Sequence, residues 1–174
     1  MSYLIRSAVL LAALLTLGAC AETKLPPLFC PKIALLDSAS DLTRFNGAGR
    51  DLLDTSFHAR IDLVPAECRN GQDNRVETAL QIVSRLDRGA GLQQPQVQFS
   101  YVVTVLKGDE VFDQVDVPVS VAFPGGVERV ASTSKLVLLR FPIPEEKVLP
   151  SYRVLVGFRL TPDELAYNRS HPTR

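Results

Sequence analysis

Few side chains of this 174-residue sequence have the types and spacing that catalysis requires. It holds two histidines, His58 and His171, and the second precedes Pro172 in what we expect to be a loose tail. A metal site built on paired imidazoles is therefore not predicted. No glycine-rich loop between a strand and a helix would cradle a phosphate, and no serine lies in a G-x-S-x-G elbow. We predict no catalytic residues, no metal ligands and no cofactor.

The cysteine at position 20 carries a more specific chemical signature. Residues 1–19 have the form of a secretory signal, with a positive charge at Arg6, an apolar stretch and small residues before the cysteine. The stretch is too short to cross a bilayer as a stable helix, which needs about 20 apolar residues. The sequence "LGAC" that ends at Cys20 resembles the lipobox of bacterial lipoproteins. An ordinary secretory peptide that adjoins a cysteine is the alternative.

The lipobox resemblance implies a diacylglycerol on the sulfur of Cys20 and removal of residues 1–19. Several acyl chains on one residue anchor durably, because each buried methylene contributes about 0.8 kcal/mol. Ala21 rather than aspartate follows the cysteine, which in well-studied lipoproteins implies transfer to the outer membrane. The prolines of residues 20–29 favour a short extended tether. We expect this tether to hold the domain at the periplasmic face of the membrane.

The other two cysteines, Cys30 and Cys68, are expected to form a disulfide. If Cys20 carries lipid, these two remain as a pair in an oxidising compartment. A bond between them would stabilise the fold by roughly 4 kcal/mol on the chain-entropy model. The alternative is a catalytic thiol assisted by His58, but a secreted cysteine with one available partner is more often bridged.

The charge balance disfavours nucleic acid as a partner. The sequence holds 19 basic and 19 acidic side chains, and the signal segment contains only one of them, Arg6. Nucleic-acid binding needs clustered Lys and Arg, and no basic run marks a patch for anionic lipid. The membrane is therefore expected as a partner only through the lipid on Cys20.

Apolar residues alternate with polar ones through most of the chain after residue 55, which predicts strands. In residues 97–106 the apolar face holds every second residue, and Gly108 in the turn "KGDE" predicts a hairpin to the next strand. Pro118 removes a backbone donor, so that second strand should lie at a sheet edge. The predicted strands cover 56–64, 75–88, 97–106, 110–123, 135–143 and 152–160, after a short apolar run at 30–37.

Three further segments do not show this clear alternation alone. Residues 75–88 also fit a helical stripe, but strands on both sides favour a strand. Residues 38–54 are rich in Asn, Gly and Asp and predict a long loop, in which Ser38 or Ser40 could cap one helical turn. Near the C-terminus, Thr161, Pro162 and Glu164 form a capping box that predicts a brief helix.

These elements predict a mainly β protein: an antiparallel β-sandwich of immunoglobulin-like or fibronectin-like type with a short C-terminal helix. We expect a cleaved signal peptide at 1–19, a lipidated tether at 20–29, the sandwich domain at 30–169 and a flexible tail at 170–174. Around the predicted hairpin, acidic residues could supply oxygen ligands for calcium. A solvated hairpin tip is the preferred interpretation, because these carboxylates do not point the same way. They are Asp109, Glu110, Asp113 and Asp116.

A weaker resemblance covers most of the chain after residue 29. The stretches "CPKIALLDSASDLTRFNGAGRDLLD", "GVERVASTSKLVLLRFPIP" and "GFRLTPDELAYNR" resemble a family of uncharacterised lipoproteins of alphaproteobacteria. The resemblance implies a lineage and a compartment and transfers no functional residues.

Three functions of different classes follow as hypotheses. The leading one is a non-enzymatic interaction or assembly module that presents loops or a strand edge to an envelope protein. The alternative is a carrier of a small ligand or lipid, with an apolar pocket between the sheets. The third, a hydrolase that uses His58, lacks a visible nucleophile and base pair.

Overall fold

The computed structural model describes residues 30–73, 75–142 and 152–172. The signal segment, Cys20 and the tether lie outside the described residues. In the described part the chain is mainly β, with one short α-helix at its C-terminal end, as the alternation predicts. The elements are β1 (Lys32–Leu35), a 3-10 turn (Asp37–Ala39), β2 (Asp41–Phe45), β3 (Thr55–Leu63), β4 (Ala66–Asn70), β5 (Arg75–Leu80), β6 (Val83–Arg88), β7 (Gln96–Lys107), β8 (Glu110–Ala122), β9 (Arg129–Thr133), β10 (Val137–Pro142), β11 (Tyr152–Phe158) and α1 (Pro162–Ser170).

The strands form two layers. One layer is a four-stranded sheet in the order β1-β11-β7-β8, in which β1 runs parallel to β11 and the other pairs are antiparallel. The second layer consists of the sheets β2-β3-β6-β9 and β10-β5-β4. Its two sheets continue into each other, because β4 follows β3, β6 follows β5 and β10 follows β9 along the chain. Backbone hydrogen bonds from Gln81 to Pro65 (3.1 Å) and from Ser134 to Ile82 (2.9 Å) span the junction.

The two layers pack face to face around one core. Tyr101 of β7 and Ser84 of β6 are both buried, and their hydroxyl groups share a hydrogen bond from one layer to the other. The rings of Phe57 and Phe99 lie 6.2 Å apart across the same interface. The prediction of an antiparallel β-sandwich with a short C-terminal helix is confirmed. The predicted inward face of β7 is buried throughout: Val97, Phe99, Tyr101, Val103 and Val105.

Several local predictions are also confirmed. Residues 75–88 are extended rather than helical, as predicted, and their predicted apolar face is buried, but they form two strands, β5 and β6, in different sheets instead of one. Gly108 has φ = 63° in the β7–β8 turn, in the left-handed region that glycine adopts at no steric cost. Pro118 lies on β8, which is an edge strand. At the C-terminus both hydrogen bonds of the capping box between Thr161 and Glu164 are present.

The prediction of one long loop over residues 38–54 is wrong. Strand β2 occupies Asp41–Phe45 and pairs with β3. Its sequence does not alternate cleanly, because Leu42 is its one buried apolar residue. Ser40 is the C-cap of the 3-10 turn before β2, and its Oγ donates to the backbone oxygen of Asp37 (3.1 Å), whereas the N-cap is Leu36. Strands β4 and β9 also lie outside the predicted strands, because neither of them has a buried residue.

Leu63 and Val111 fall on the apolar faces of residues 56–64 and 110–123 if every second residue points inward, but both are exposed because the pairing register shifts beside them. Leu63 follows a shift between Ile61 and Leu63 in the β3–β6 pair. Val111 pairs with Leu106 at a shift in the β7–β8 pair. Because side chains alternate along a strand, one extra residue turns those beyond it to the other face.

The predicted disulfide joins the two layers. The sulfur atoms of Cys30 and Cys68 lie at disulfide distance, with their Cα atoms 5.8 Å apart and 38 positions between them in sequence. Cys30 directly precedes the first layer and Cys68 lies on β4 of the second layer. The bond therefore connects the start of the domain to the opposite sheet.

The close approach of Gly89 to the backbone at the start of β3 can be tested by substitution. A Cβ atom at Gly89 would lie 1.9 Å from the backbone oxygen of Thr55, whereas a Cβ at Gly125 would meet nothing within 4 Å. We expect Gly89→Ala to lower the free energy of unfolding by about 1–3 kcal/mol, because backbone cannot move aside as a side chain can. Gly125→Ala is the matched control and should leave it unchanged or raise it slightly. Urea unfolding of both variants measures the difference, and equal midpoints would contradict the close approach.

Candidate functional site

A polar groove lies beside the C-terminal helix among the described residues. Helix α1 packs against edge strand β2 and the 3-10 turn before it. The groove between them has a volume of about 410 Å³. It brings together both histidines of the sequence, which are far apart along the chain. Its lining is Asp37, Ser38, Asp41, Thr43, His58, Tyr167, Asn168, Arg169, His171 and Pro172.

A buried carboxylate organises the floor of this groove. Asp41 lies on β2 opposite Arg60 of β3, and its Oδ1 is 2.9 Å from Arg60 Nε and 3.3 Å from His58 Nε2. Its Oδ2 accepts a hydrogen bond of 3.2 Å from Ser40 Oγ. The guanidinium group balances the charge of a carboxylate that has little access to water. A buried charge needs such a partner, so the Asp41–Arg60 pair fixes the pairing of β2 with β3.

Helix α1 adheres to β2 largely through polar and aromatic contacts. The Asn168 side-chain amide donates to the backbone oxygens of Ser38 (3.0 Å) and Asp41 (2.7 Å). The Tyr167 ring meets the edge of Phe45 at 5.0 Å. No residue of α1 itself is buried. Asn168 thus occupies a backbone acceptor of an edge strand that would otherwise face solvent.

The same helix is further held by an ion pair at its first turn. Arg44 Nε lies 2.9 Å from Glu164 Oε1, the acid of the capping box. The Arg44 guanidinium also donates to the backbone oxygen of Gln98 on β7. Arg44 therefore ties β2, the helix and the other layer together.

The structure places the two histidines in structural roles. The sequence predicts His58 on the outer face of its strand, and the structure shows it there, half-buried against Asp41 rather than free in water. His171 stacks on the Tyr167 ring at 4.2 Å, and its backbone N–H ends helix α1 by donating to Tyr167 and Asn168. The helix runs through Ser170, so the described part of the expected tail is attached to it.

The groove holds no assembled hydrolytic machinery. Within the described residues, the only polar partner of the His58 side chain is Asp41, so no nucleophile is poised on that imidazole. The Ser170 hydroxyl contacts His171 Nδ1 at 3.0 Å but also bonds to carbonyl groups of its own helix. Cys68 is held by the disulfide and offers no thiol. What this arrangement can do is bind polar groups and hold the helix to the sheet.

The structure does not bring the acidic residues of the β7–β8 hairpin together. Asp109 pairs with Arg153 at 2.9 Å, and Asp116 pairs with Arg159. Asp113 Oδ1 accepts a hydrogen bond from the backbone of Gln114. No group of three or more His, Cys, Asp or Glu side chains in the described ranges is arranged to hold a metal ion.

A second surface feature, which the sequence analysis missed, is the β2–β3 loop. We call residues 46–54 the leucine tip, because its side chains Leu52 and Leu53 are 86% and 76% exposed. Asp51 Oδ1 accepts hydrogen bonds from the backbone of Leu53 (2.8 Å) and Asp54 (3.0 Å). The signal in the sequence was the pair of leucines in "RDLLD", two large apolar residues within a stretch otherwise typical of a loop.

The leucine tip is fixed in shape by its own hydrogen bonds. Arg50 donates to the backbone oxygens of Ala48 (3.2 Å) and Gly49 (2.8 Å), and its guanidinium lies 5.2 Å from the centre of the Phe45 ring. A backbone bond of 2.7 Å from Asn46 to Asp54 closes the loop. The two leucines are therefore held out by an ordered turn rather than left exposed by a lack of structure.

Comparison with known proteins gives no relative. No family model, no curated protein and no solved structure matches the chain. The resemblance to uncharacterised lipoproteins accordingly stays a prediction. Of the helices in the described ranges, none has the length and apolar character needed to cross a bilayer.

The buried carboxylate is open to a direct test. We expect Asp41→Asn to lower the free energy of unfolding by about 1–3 kcal/mol, because Arg60 loses the charge of its partner in a place with little water. Asp109→Asn removes the same charge from a fully exposed ion pair and should cost less than about 1 kcal/mol. Urea unfolding compares the two, and equal losses would contradict the role given to Asp41.

Proposed function

We propose that this protein is a lipid-anchored component of the bacterial cell envelope that acts as a non-enzymatic interaction module. A lipid on Cys20 would hold the domain at the periplasmic face of the outer membrane, and the leucine tip would contact an envelope protein. The observation that carries the proposal is the placement of Leu52 and Leu53 at the end of the domain opposite Cys30.

The Cys30–Cys68 pair supports an extracytoplasmic location. Disulfides persist in oxidising compartments and are rare in the cytosol. The pair leaves Cys20, the last residue of the lipobox-like sequence, as the cysteine available for a lipid. The location and the lipid remain proposals that the experiments below test.

Two strands define the two ends of the domain. Phe57, just after the leucine tip, packs on Phe99 near the start of β7. At the other end of β7, Lys107 pairs with Tyr152, where β11 begins. The stretch of β7 from Phe99 to Lys107 spans about 27 Å at the usual strand rise.

The tether joins the domain at that second end. Lys32 pairs with Arg153, directly beside Tyr152, and Cys30 lies two residues earlier. We call this end, with Cys30, Gly108 and Tyr152, the tether end. An anchor on Cys20 would therefore restrain the tether end and leave the leucine tip pointing away from it.

The leucine tip has the properties of a binding anchor. Burying two exposed leucine side chains contributes about 3–6 kcal/mol, which is the size of a binding hot spot. The ordered turn also lowers the entropy lost on binding. Two side chains cover far less than the roughly 800 Å² that each partner buries in a stable complex, so we propose that they anchor a wider contact.

No observation favours the carrier alternative. A carrier needs an apolar cavity between the sheets, whereas the inward rings here pack on one another. Phe99 lies 5.4 Å from Tyr101 and 5.6 Å from Phe158, ring centre to ring centre.

Substitution of Cys20 tests the anchor. We expect the wild-type chain to sediment with membranes and its mature N-terminus to carry the mass of diacylglycerol. Cys20→Ser should lose both, because a hydroxyl does not form the thioether. Mass spectrometry and membrane fractionation measure this, and a soluble wild-type chain with residues 1–19 still attached would refute the anchor.

The leucine tip is tested by in-cell crosslinking. A photo-reactive amino acid at Asp51 should crosslink the anchored protein to one envelope protein in stoichiometric yield. Leu52→Asp with Leu53→Asp should reduce the yield at least tenfold, since losing about 1.4 kcal/mol is already tenfold in affinity. Leu136→Asp is the matched control, because Leu136 is also an exposed leucine (64%) outside the tip. No partner above background, or equal loss in the control, would contradict the proposal.

A further inference from the structure

The tether end carries an exposed apolar surface that the interaction module does not explain. The Phe112 ring meets the Tyr152 ring at 5.6 Å, and Tyr152 in turn contacts Phe141 at 5.0 Å. Phe112 is 46% exposed and its neighbour Val111 is 63% exposed. Both lie just after the β7–β8 turn.

Val111 and Phe112 are exposed because of an irregularity in strand pairing. The β7–β8 register shifts so that Val111 pairs with Leu106 and Asp113 with Val105, which leaves Phe112 between two paired positions. The shift turns Val111 away from the core and brings Phe112 to the rim of the sandwich beside Tyr152. Burial raises the pKa of the Tyr152 phenol, in keeping with an apolar surrounding for part of that ring.

We call Val111, Phe112 and Tyr152 the apolar rim. This rim lies at the same end of the domain as the point where the tether enters. Lys32 of β1 pairs with Arg153, Arg153 pairs with Leu106, and Leu106 pairs with Val111. Three strand spacings, about 14 Å, therefore separate β1 from Val111. Arg153 also donates to the backbone oxygen of Gly108 at 3.1 Å, which holds the hairpin turn at the same end.

The tether is short in relation to the domain. Nine residues separate Cys20 from Cys30, and a chain of ten residue steps reaches at most about 35 Å. The tether end therefore stays near the bilayer, whereas the leucine tip begins about 27 Å further away along β7.

We infer that Val111 and Phe112 rest on the lipid bilayer that holds the anchor. This inference depends on the proposed lipid at Cys20. Val111 and Phe112 bury apolar surface in the interfacial region of the bilayer, and Tyr152 suits that level because its ring is apolar while its hydroxyl can stay in water. The contact fixes the orientation of the domain, with the leucine tip directed into the periplasm.

The charges around the rim indicate the kind of lipid surface. Among the described residues, Lys32, Lys107 and Arg153 lie at this end together with Asp109 and Glu110, so their cations and anions nearly balance. Such a rim does not require anionic lipid and suits a zwitterionic surface, on which the apolar pair rather than a Coulomb attraction makes the contact.

The absence of tryptophan from the sequence allows a direct test with a single fluorophore. Phe112→Trp places a tryptophan in the rim, and Leu52→Trp places one in the leucine tip as the matched control. The full acylated chain is reconstituted in phosphatidylethanolamine and phosphatidylglycerol vesicles, with or without brominated acyl chains. Phe112→Trp should shift its emission to shorter wavelength in vesicles and lose intensity to bromine, and Leu52→Trp should do neither. Val111→Trp repeats the measurement if the first variant does not fold.

The outcomes separate this inference from the proposed function. A chain that floats with the vesicles but shows no shift at either rim position refutes the inference and leaves the anchor intact. A shift at Leu52 alone places the wrong end on the membrane and also refutes it. A concentration-dependent shift in detergent without vesicles assigns the rim to a second copy of the chain instead. A chain that carries no lipid and does not float refutes the anchor, and the inference with it.

Discussion

The Cys30–Cys68 disulfide is the constraint on which the arrangement of this domain depends. It joins the residue before the first strand of one layer to β4 of the other layer, so the entry point of the chain is fixed relative to both sheets. Without it, β1 would be held mainly by four backbone pairings to β11. Because the bond fixes one end of the sandwich, it also fixes where the residues before Cys30 meet the domain.

The C-terminal helix covers a sheet edge that would otherwise be exposed. Strand β2 has β3 on one side only, and its outer backbone groups would pair with any exposed strand. Helix α1 lies there, with Asn168 on the backbone of Asp41 and Glu164 on Arg44. The two histidines, the obvious candidates for chemistry, belong to this junction. In this groove, polar side chains attach helix α1 to the sheet, although no residue of the helix is itself buried.

The alternation of apolar residues predicted most of the sandwich, because a strand with one buried face must repeat every second residue. It failed at β2, β4 and β9, where few apolar side chains are buried, and at Leu63 and Val111, where a register shift depends on the partner strand and leaves no local signal. The cysteine count predicted the Cys30–Cys68 pair. The groove could not be predicted, since Asp41 and Asn168 are 127 positions apart. The sequence "RDLLD" shows two large apolar residues in a stretch typical of a loop, but only the tertiary structure shows that these leucines are exposed.

The parallel pairing of β1 with β11 has a consequence for how the protein reaches its native state. A chain synthesised from its N-terminus makes β1 long before β11, so the first strand lacks its described partner until β11 has been made. Contacts between such distant parts of a sequence form slowly and leave apolar strands open in the meantime. A protein with this topology therefore completes its first sheet only after β11 is available, and exposed strand edges must be tolerated until then.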